Sequence, residues 1–164
     1  MLDDDPGTCR FMQELLSKPD REVETTTDPE QALARCRAKP YDLVITDLKL
    51  NARLDGIDIL RAVRETSPST PVIIVTGFGE LEKAVEAVRE GAFDFVSKPF
   101  NVREVIATAR RALAVADAPP GPAGAEPDLT SRYASSGLVG HSRQMIELYM
   151  EIARVAAYRS TVLV

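Results

Sequence analysis

The chain contains 164 residues, enough for one domain with an appendage and for a hydrophobic core that needs no disulfide or metal. Its net charge of −5 argues against a protein that coats nucleic acid. No apolar run approaches the ~20 residues of a membrane span. The amino terminus lacks signal or transit features, and the two cysteines form no CxxC pair. We therefore expect a cytoplasmic protein without membrane contact.

Two kinds of apolar segment alternate along the first 116 residues. Short runs rich in β-branched residues, typical of strands buried in a parallel sheet, lie at 43–45 and 72–75, and weaker ones at 93–96 and 23–26. Helical spacing and capping signals predict helices over 6–16, 29–37, 57–64, 81–89 and 102–113. This alternation predicts a doubly wound parallel α/β sheet with helices on both faces.

The first strand is shorter than this pattern requires. Five helices call for a strand before Asp3, of which only Met1 and Leu2 remain. A central strand this short leaves ladder groups unpaired. We therefore expect a truncated first strand, in a chain that is a fragment or whose start has been placed too late.

The composition changes at Asp117. The stretch 117–137 holds four prolines and three glycines, which is typical of a flexible linker. Residues 138–164 then carry an amphipathic helix pattern and the start of a strand. We expect one domain at 1–116, a linker at 117–137 and the start of a second domain at 138–164.

Polar residues stand where the predicted strands end. In chain order they are Asp3, Asp4, Asp5, Asp47, Thr76 and Lys98. Because the carboxyl ends of parallel strands share one edge, where ligands bind, these side chains are expected to converge. Clustered carboxylates stay ionised only around a cation, and hard oxygen ligands favour Mg²⁺. A lysine and a hydroxyl beside such an ion favour a phosphoryl-binding site.

The nucleophile of this predicted site is a carboxylate. No Ser–His or Cys–His pair is available, because the sole histidine, His141, lies beyond the linker. A carboxylate can form an aspartyl-phosphate, and Asp47 follows the most buried predicted strand. Each residue alone also has an ordinary role, as a helix cap, a turn residue or a surface lysine. Similarly, Arg110 and Arg111 are typical of a solvated helix face.

Four runs, DDDPG, YDLVITDLKL, VIIVTG and FVSKPF, resemble in this order the response regulator receiver domain of two-component signalling. The resemblance covers about residues 1–115 and implies a flavodoxin-like, five-stranded parallel sheet of order 2-1-3-4-5. The loop LKLNARLDG after Asp47 departs from the family, which usually has one residue fewer and a Met-Pro-Gly there.

The resemblance also implies a role for each matching position. It implies that Asp47 is the phosphoacceptor and that Lys98 pairs with the phosphate. For Mg²⁺ it implies Asp4 as a direct ligand, Asp3 as a ligand acting more through water, and the backbone carbonyl of Lys49 as a third ligand. It implies that Thr76 is the switch hydroxyl and Phe95 the switch aromatic. A cis peptide bond is expected before Pro99. The implied partners are a sensor histidine kinase and a second copy of the chain.

The tail resembles a different family. The run GLVGHSRQMIELYMEIARVAAYRSTVLV resembles the opening of the AAA+ ATPase domain of NtrC-type, sigma-54-dependent transcription activators, cut before its phosphate loop. No GxxxxGK[ST] motif occurs in the chain. The resemblance implies a transcriptional regulator rather than an enzyme. Such a regulator contacts RNA polymerase sigma-54 and DNA only through parts absent from this chain.

One alternative remains open, and a second is disfavoured. The chain could be a degenerate receiver that acts as a non-catalytic protein-interaction module. An FMN-binding flavodoxin-like protein is disfavoured, because the acidic cluster would repel the phosphate and no Ser/Thr/Gly-rich loop follows the first strand.

Overall fold

Residues 1–77 and 80–116 are described by a computed structural model of the chain. They form helices α1 (Pro6–Leu16), α2 (Pro29–Ala38), α3 (Gly56–Thr66), α4 (Leu81–Arg89) and α5 (Val102–Ala116), and strands β1 (Val44–Asp47), β2 (Val72–Thr76) and β3 (Asp94–Ser97). The predicted linker, the start of a second domain and His141 lie outside these residues. Within this part of the chain, no helix is long and apolar enough to cross a membrane.

The five predicted helices are confirmed, and local capping explains where they start. Asp5 and Asp28 each precede a proline and accept hydrogen bonds from the first free backbone N–H groups of α1 and α2. Asp55 and Asp58 form a capping box at α3. At the end of α4, Gly91 takes a φ of +98°, the left-handed conformation that glycine adopts without penalty.

The three strands form a parallel sheet in the order β1-β2-β3. In register, Asp47 lies opposite Val75, and Thr76 lies opposite Ser97. The carboxyl ends of the strands therefore meet at one edge of the sheet, where β1 ends in Asp47 and β2 ends in Thr76. This edge carries the residues that the sequence singles out.

The prediction of a strand at 23–26 is wrong for the described residues. Leu2 makes one parallel bridge to Thr26 and another to Thr46, and no longer pairing forms on that side. The backbone of residues 1–3 supplies the few bonds, from Thr26 N–H to the Met1 carbonyl at 3.0 Å and from Asp3 N–H to the Thr26 carbonyl at 3.4 Å. Because only these three residues reach the segment, a single bridged residue, Leu2 or Thr26, replaces each of the first two predicted strands.

Both faces of the sheet are covered by helices, as the unalternating apolar strands predict. One face packs on α3 and α4, and its cluster includes Val72, Ile74, Leu60 and Ala87. The opposite face packs on α1 and α5 through Ile45, Ile73, Val75, Met12 and Val105. Burying one such aliphatic side chain contributes roughly 1.5–3 kcal/mol. The two clusters hold the strands, and hence the edge of the sheet, in a fixed position.

Candidate functional site

Three carboxylates meet at the carboxyl edge of the sheet. One oxygen each from Asp3, Asp4 and Asp47 lies within 4.8 Å of the others. Asp3 and Asp47 are buried, while Asp4 is half-buried. The backbone fixes their positions, because Asp47 N–H donates to the Leu2 carbonyl at 2.8 Å, immediately before Asp3. The side chains predicted as metal ligands therefore lie together.

Lys98 lies between two of these carboxylates. Its ammonium donates a hydrogen bond to Asp47 Oδ2 and lies 2.8 Å from Asp3 Oδ2. Its backbone N–H donates to the Thr76 carbonyl at 2.8 Å, and the Lys98–Pro99 peptide bond is cis, as predicted. Burial lowers the pKa of Lys98, but the two carboxylates more than compensate and raise it overall. The lysine is therefore a cation at neutral pH.

The buried charge of Asp3 is only partly compensated by its neighbours. Burial raises the pKa of its carboxyl, while Lys98 and the backbone N–H of Asp5 pull it down in part. Asp5 N–H donates to Oδ1 at 3.0 Å. The buried Oδ2 has only the shared Lys98 ammonium, at 2.8 Å, as a partner among the described residues. A buried carboxylate oxygen in this state favours a further cation.

The predicted switch residues lie beside this cluster. Thr76 is buried at the end of β2, and its hydroxyl donates a long hydrogen bond of 3.4 Å to the Gly77 carbonyl. Phe95 lies opposite Ile74 on β3, half-buried against the core cluster on the α3 and α4 face. The roles of Thr76 and Phe95 as switch residues stay predictions.

The loop after β1 is anchored to the core by alternate residues. Leu48 and Leu50 are buried, while Lys49 and Asn51 are exposed. The backbone N–H of Lys49 donates to Asp47 Oδ1 at 3.0 Å; the role of its carbonyl as a ligand stays a prediction.

Gly56 closes this loop by approaching β1 directly. Its N–H donates to the Leu48 carbonyl at 3.0 Å. A Cβ at this position would lie 2.3 Å from the Asp47 carbonyl oxygen, so only glycine permits the approach.

Two contacts of the described structure escape sequence reasoning. The side-chain amide of Asn51 donates to Asp4 Oδ2, a contact that only the alternation of the loop could have suggested. Arg111, predicted to be solvated, instead pairs with the buried Asp94 at 2.5 Å. That prediction is wrong because the helix pattern does not reveal a buried carboxylate on a neighbouring strand.

The residues present suit Mg²⁺ better than a softer metal. All three side chains offer hard carboxylate oxygens, which Mg²⁺ prefers. Among the described residues, only one ammonium lies beside the three carboxylates, and Asp3 Oδ2 shares it with Asp47. A divalent cation would neutralise the remaining charge.

Comparison with known proteins gives concordant matches. The sequence model of the response regulator receiver domain matches residues 1–110. Among curated proteins, the chain is 35% identical over 167 residues to the transcriptional regulatory protein ZraR of Escherichia coli O157:H7, covering 100% of this chain and 36% of that protein. It is 33% identical over 114 residues to the nitrogen assimilation regulatory protein NtrX of Azorhizobium caulinodans, covering 69% of this chain and 25% of that protein.

Solved structures share the fold. NtrX from Brucella abortus in complex with ADP matches with a TM-score of 0.66 and 33% identity, covering 94% of this chain and 33% of that one. A response regulator receiver domain protein from Clostridium thermocellum matches with a TM-score of 0.64 and 32% identity, covering 69% of this chain and 90% of that one. The chain spans 36% of the length of ZraR and 25% of that of NtrX from Azorhizobium.

Proposed function

This chain belongs to the response regulator receiver domain family, and on that premise we propose that it is a phosphorylation-driven switch. Its Asp47 accepts a phosphoryl group from a phosphohistidine of a sensor histidine kinase. The observation that carries the proposal is the convergence of Asp3, Asp4, Asp47 and Lys98 at one edge of the sheet.

Mg²⁺ is the proposed cofactor of this site. Asp4, the most exposed of the three carboxylates, and Asp47 would hold the ion directly, Asp3 would act more through water, and the Lys49 carbonyl would complete the protein ligands. When bound, the ion neutralises the carboxylates that otherwise repel a phosphoryl group.

The transfer exchanges one bond for another. An oxygen of the Asp47 carboxylate attacks phosphorus in line, a P–O bond forms, and the P–N bond breaks with its electron pair leaving on the imidazole. The ammonium of Lys98, which now pairs with Asp47 Oδ2, moves to the new phosphoryl oxygens in a charge-assisted contact. The residue is then an aspartyl-phosphate.

The phosphoryl group next biases a two-state surface. The hydroxyl of Thr76 turns from the Gly77 carbonyl to the phosphoryl group, and Phe95 moves into the space that it leaves. This changes the relative stability of two arrangements of α4, β3 and α5, by no more than the difference in interaction free energy between them. A second copy of the chain would dock on that surface.

The output we propose is regulation of transcription in the cytoplasm. The similarity to the transcriptional regulatory protein ZraR extends over the whole of this chain. The tail at 138–164 would be the start of a sigma-54-dependent AAA+ domain, joined by the linker at 117–137. Contacts with RNA polymerase sigma-54 and DNA would belong to parts outside this chain.

Mass spectrometry after incubation with acetyl phosphate and MgCl₂ tests the acceptor. The chain should gain one phosphoryl group, and Asp47→Asn should gain none. The matched control is Asp42→Asn, which changes an exposed aspartate just before β1 and should label like the unaltered chain. Labelling that persists in Asp47→Asn would overturn the acceptor. A folded, Mg²⁺-treated chain that takes no label would favour the non-catalytic interaction module.

A further inference from the structure

Asn51 connects the loop after β1 to the acidic cluster. Its side-chain amide donates to Asp4 Oδ2, across 47 residues of sequence. The amide is neutral, so it holds the carboxylate without cancelling its charge, unlike the ammonium of Lys98 between Asp3 and Asp47. Asp4 is therefore oriented but stays available to a cation.

Buried residues of the loop fix the position of Asn51 beside Asp4. Leu48 and Leu50 are 2% and 6% exposed, so the backbone between them is fixed. A tight turn follows, in which Ala52 N–H donates to the Leu50 carbonyl at 2.7 Å. Gly56 then seats the loop against Asp47. Asn51 is exposed, but it extends from a loop anchored on both sides.

Asp4 needs such a restraint more than its neighbours do. Asp3 is held by Lys98 and by the N–H of Asp5, and Asp47 by Lys98 and by the N–H of Lys49. A half-buried carboxylate beside two others is repelled by them and tends to rotate toward solvent. The amide of Asn51 opposes that rotation by fixing Oδ2, and none of the described residues donates a hydrogen bond to Oδ1.

We infer that Asn51 is a positioning residue for the metal site: by holding one oxygen of Asp4, it pre-orients the other for a divalent cation. This inference rests on the proposed function. Partners that orient metal ligands typically contribute 10–100-fold to metal affinity. Because both side chains are accessible to water, we expect an effect of about tenfold, at the lower end of that range.

Calorimetric titration of the 164-residue chain with MgCl₂ at neutral pH and constant ionic strength measures the effect. Asn51→Ala should weaken Mg²⁺ binding about tenfold. Asn51→Gln, which keeps the donor amide, should recover most of the loss. Ala52→Ser, a change at the next exposed position of the loop, should bind like the unaltered chain. Thermal unfolding without Mg²⁺ should be the same for all four proteins, since no buried contact changes.

A second readout separates positioning from chemistry. In acetyl phosphate labelling, the Mg²⁺ concentration for half-maximal rate should rise in Asn51→Ala, while the rate at saturating Mg²⁺ stays the same. Equal or tighter Mg²⁺ binding by Asn51→Ala would overturn the role of Asn51 and leave the proposed function standing. An unaltered chain that binds no Mg²⁺ would overturn both.

Discussion

The two edges of the sheet differ in how far their carboxylates are balanced by positive charge. At the amino edge, where β3 begins, the buried carboxylate of Asp94 is paired with Arg111 at 2.5 Å, and the guanidinium lies 5.9 Å from the centre of the Phe93 ring. At the carboxyl edge, where β3 ends, one ammonium serves two carboxylates, and a third lies beside them. One strand thus runs from a balanced pair to an unbalanced cluster.

A second, partly exposed carboxylate is also balanced, by side chains that precede β1. Glu24 accepts hydrogen bonds from Lys39 at 2.5 Å and from the Tyr41 hydroxyl at 2.6 Å, with Arg35 at 3.8 Å. Charge that is balanced within the fold stabilises it and leaves nothing for a ligand to neutralise. At the carboxyl edge the excess is of negative charge. A cation can neutralise it, and a phosphoryl group can then approach.

The largest expected difference between the edges is their response to Mg²⁺. At a free Mg²⁺ concentration 100 times its Kd, the free energy of unfolding should rise by about 2.7 kcal/mol through linkage. Arg111→Met should keep this gain, because it alters only the amino edge, and Asp4→Asn should lose most of it. Urea unfolding with MgCl₂ or NaCl at matched ionic strength measures the gain. An equal gain in Asp4→Asn would place the ion elsewhere.

Breaking the balanced pair at the amino edge should come next in size. Arg111→Met leaves the carboxylate of Asp94 buried without its guanidinium, a loss that costs about 3–5 kcal/mol for fully buried pairs. Since the Arg111 side chain is 35% exposed, we expect a loss of about 2 kcal/mol in unfolding free energy.

Arg110→Met provides the control for this loss. It changes the exposed neighbour on the same helix and should stay within about 0.5 kcal/mol. Urea unfolding compares the two variants. Equal stabilities would show that the pair at β3 is not structural. The difference between Arg111→Met and the unaltered chain should persist when both are measured at the same Mg²⁺ concentration.

The effect that is smallest at neutral pH belongs to Tyr41, because its phenol titrates only in alkaline solution. Burial first, and then the hydrogen bond to Glu24, raises the pKa of its phenol to about 12. The folded state therefore keeps a proton that the unfolded state loses near its ordinary pKa of 10.0. The contribution of Tyr41 to the free energy of unfolding should fall as pH rises from about 10 to about 12.

Ultraviolet difference titration of the unaltered chain against Tyr41→Phe isolates this phenol. Its midpoint should lie near 12, and Glu24→Gln should bring it closer to 10, because the carboxylate then no longer opposes ionisation. A midpoint near 10 in the unaltered chain would contradict the buried, hydrogen-bonded tyrosine.

Local signals predicted the helices well and the outer sheet poorly. The predicted bounds of α1 and α4 agree with Pro6–Leu16 and Leu81–Arg89, because caps and a terminal glycine act within one turn of the helix. The segment at 23–26 has the composition of a strand, but a strand exists only when a partner supplies its hydrogen bonds.

Some features of the candidate site could likewise be predicted from the sequence, and others could not. The convergence of Asp3, Asp4, Asp47 and Lys98 could be predicted because parallel strands end at one edge, so three separate segments of sequence point to one place. The contact from Asn51 to Asp4 could not, because it depends on where an extended loop turns. The pairing of Arg111 with Asp94 escaped for a similar reason, since their spacing in sequence does not show which helix covers the start of β3.

By itself, then, the sequence determined the five helices, the strands β1, β2 and β3, and which carboxylates and lysine meet at the ends of the strands. Those properties depend on periodicity, capping and the fixed direction of parallel strands. Only the tertiary structure decided how charge is shared: one ammonium between Asp3 and Asp47, an amide on Asp4, and a guanidinium on Asp94. These contacts depend on distances across the fold, which no local pattern in the sequence encodes.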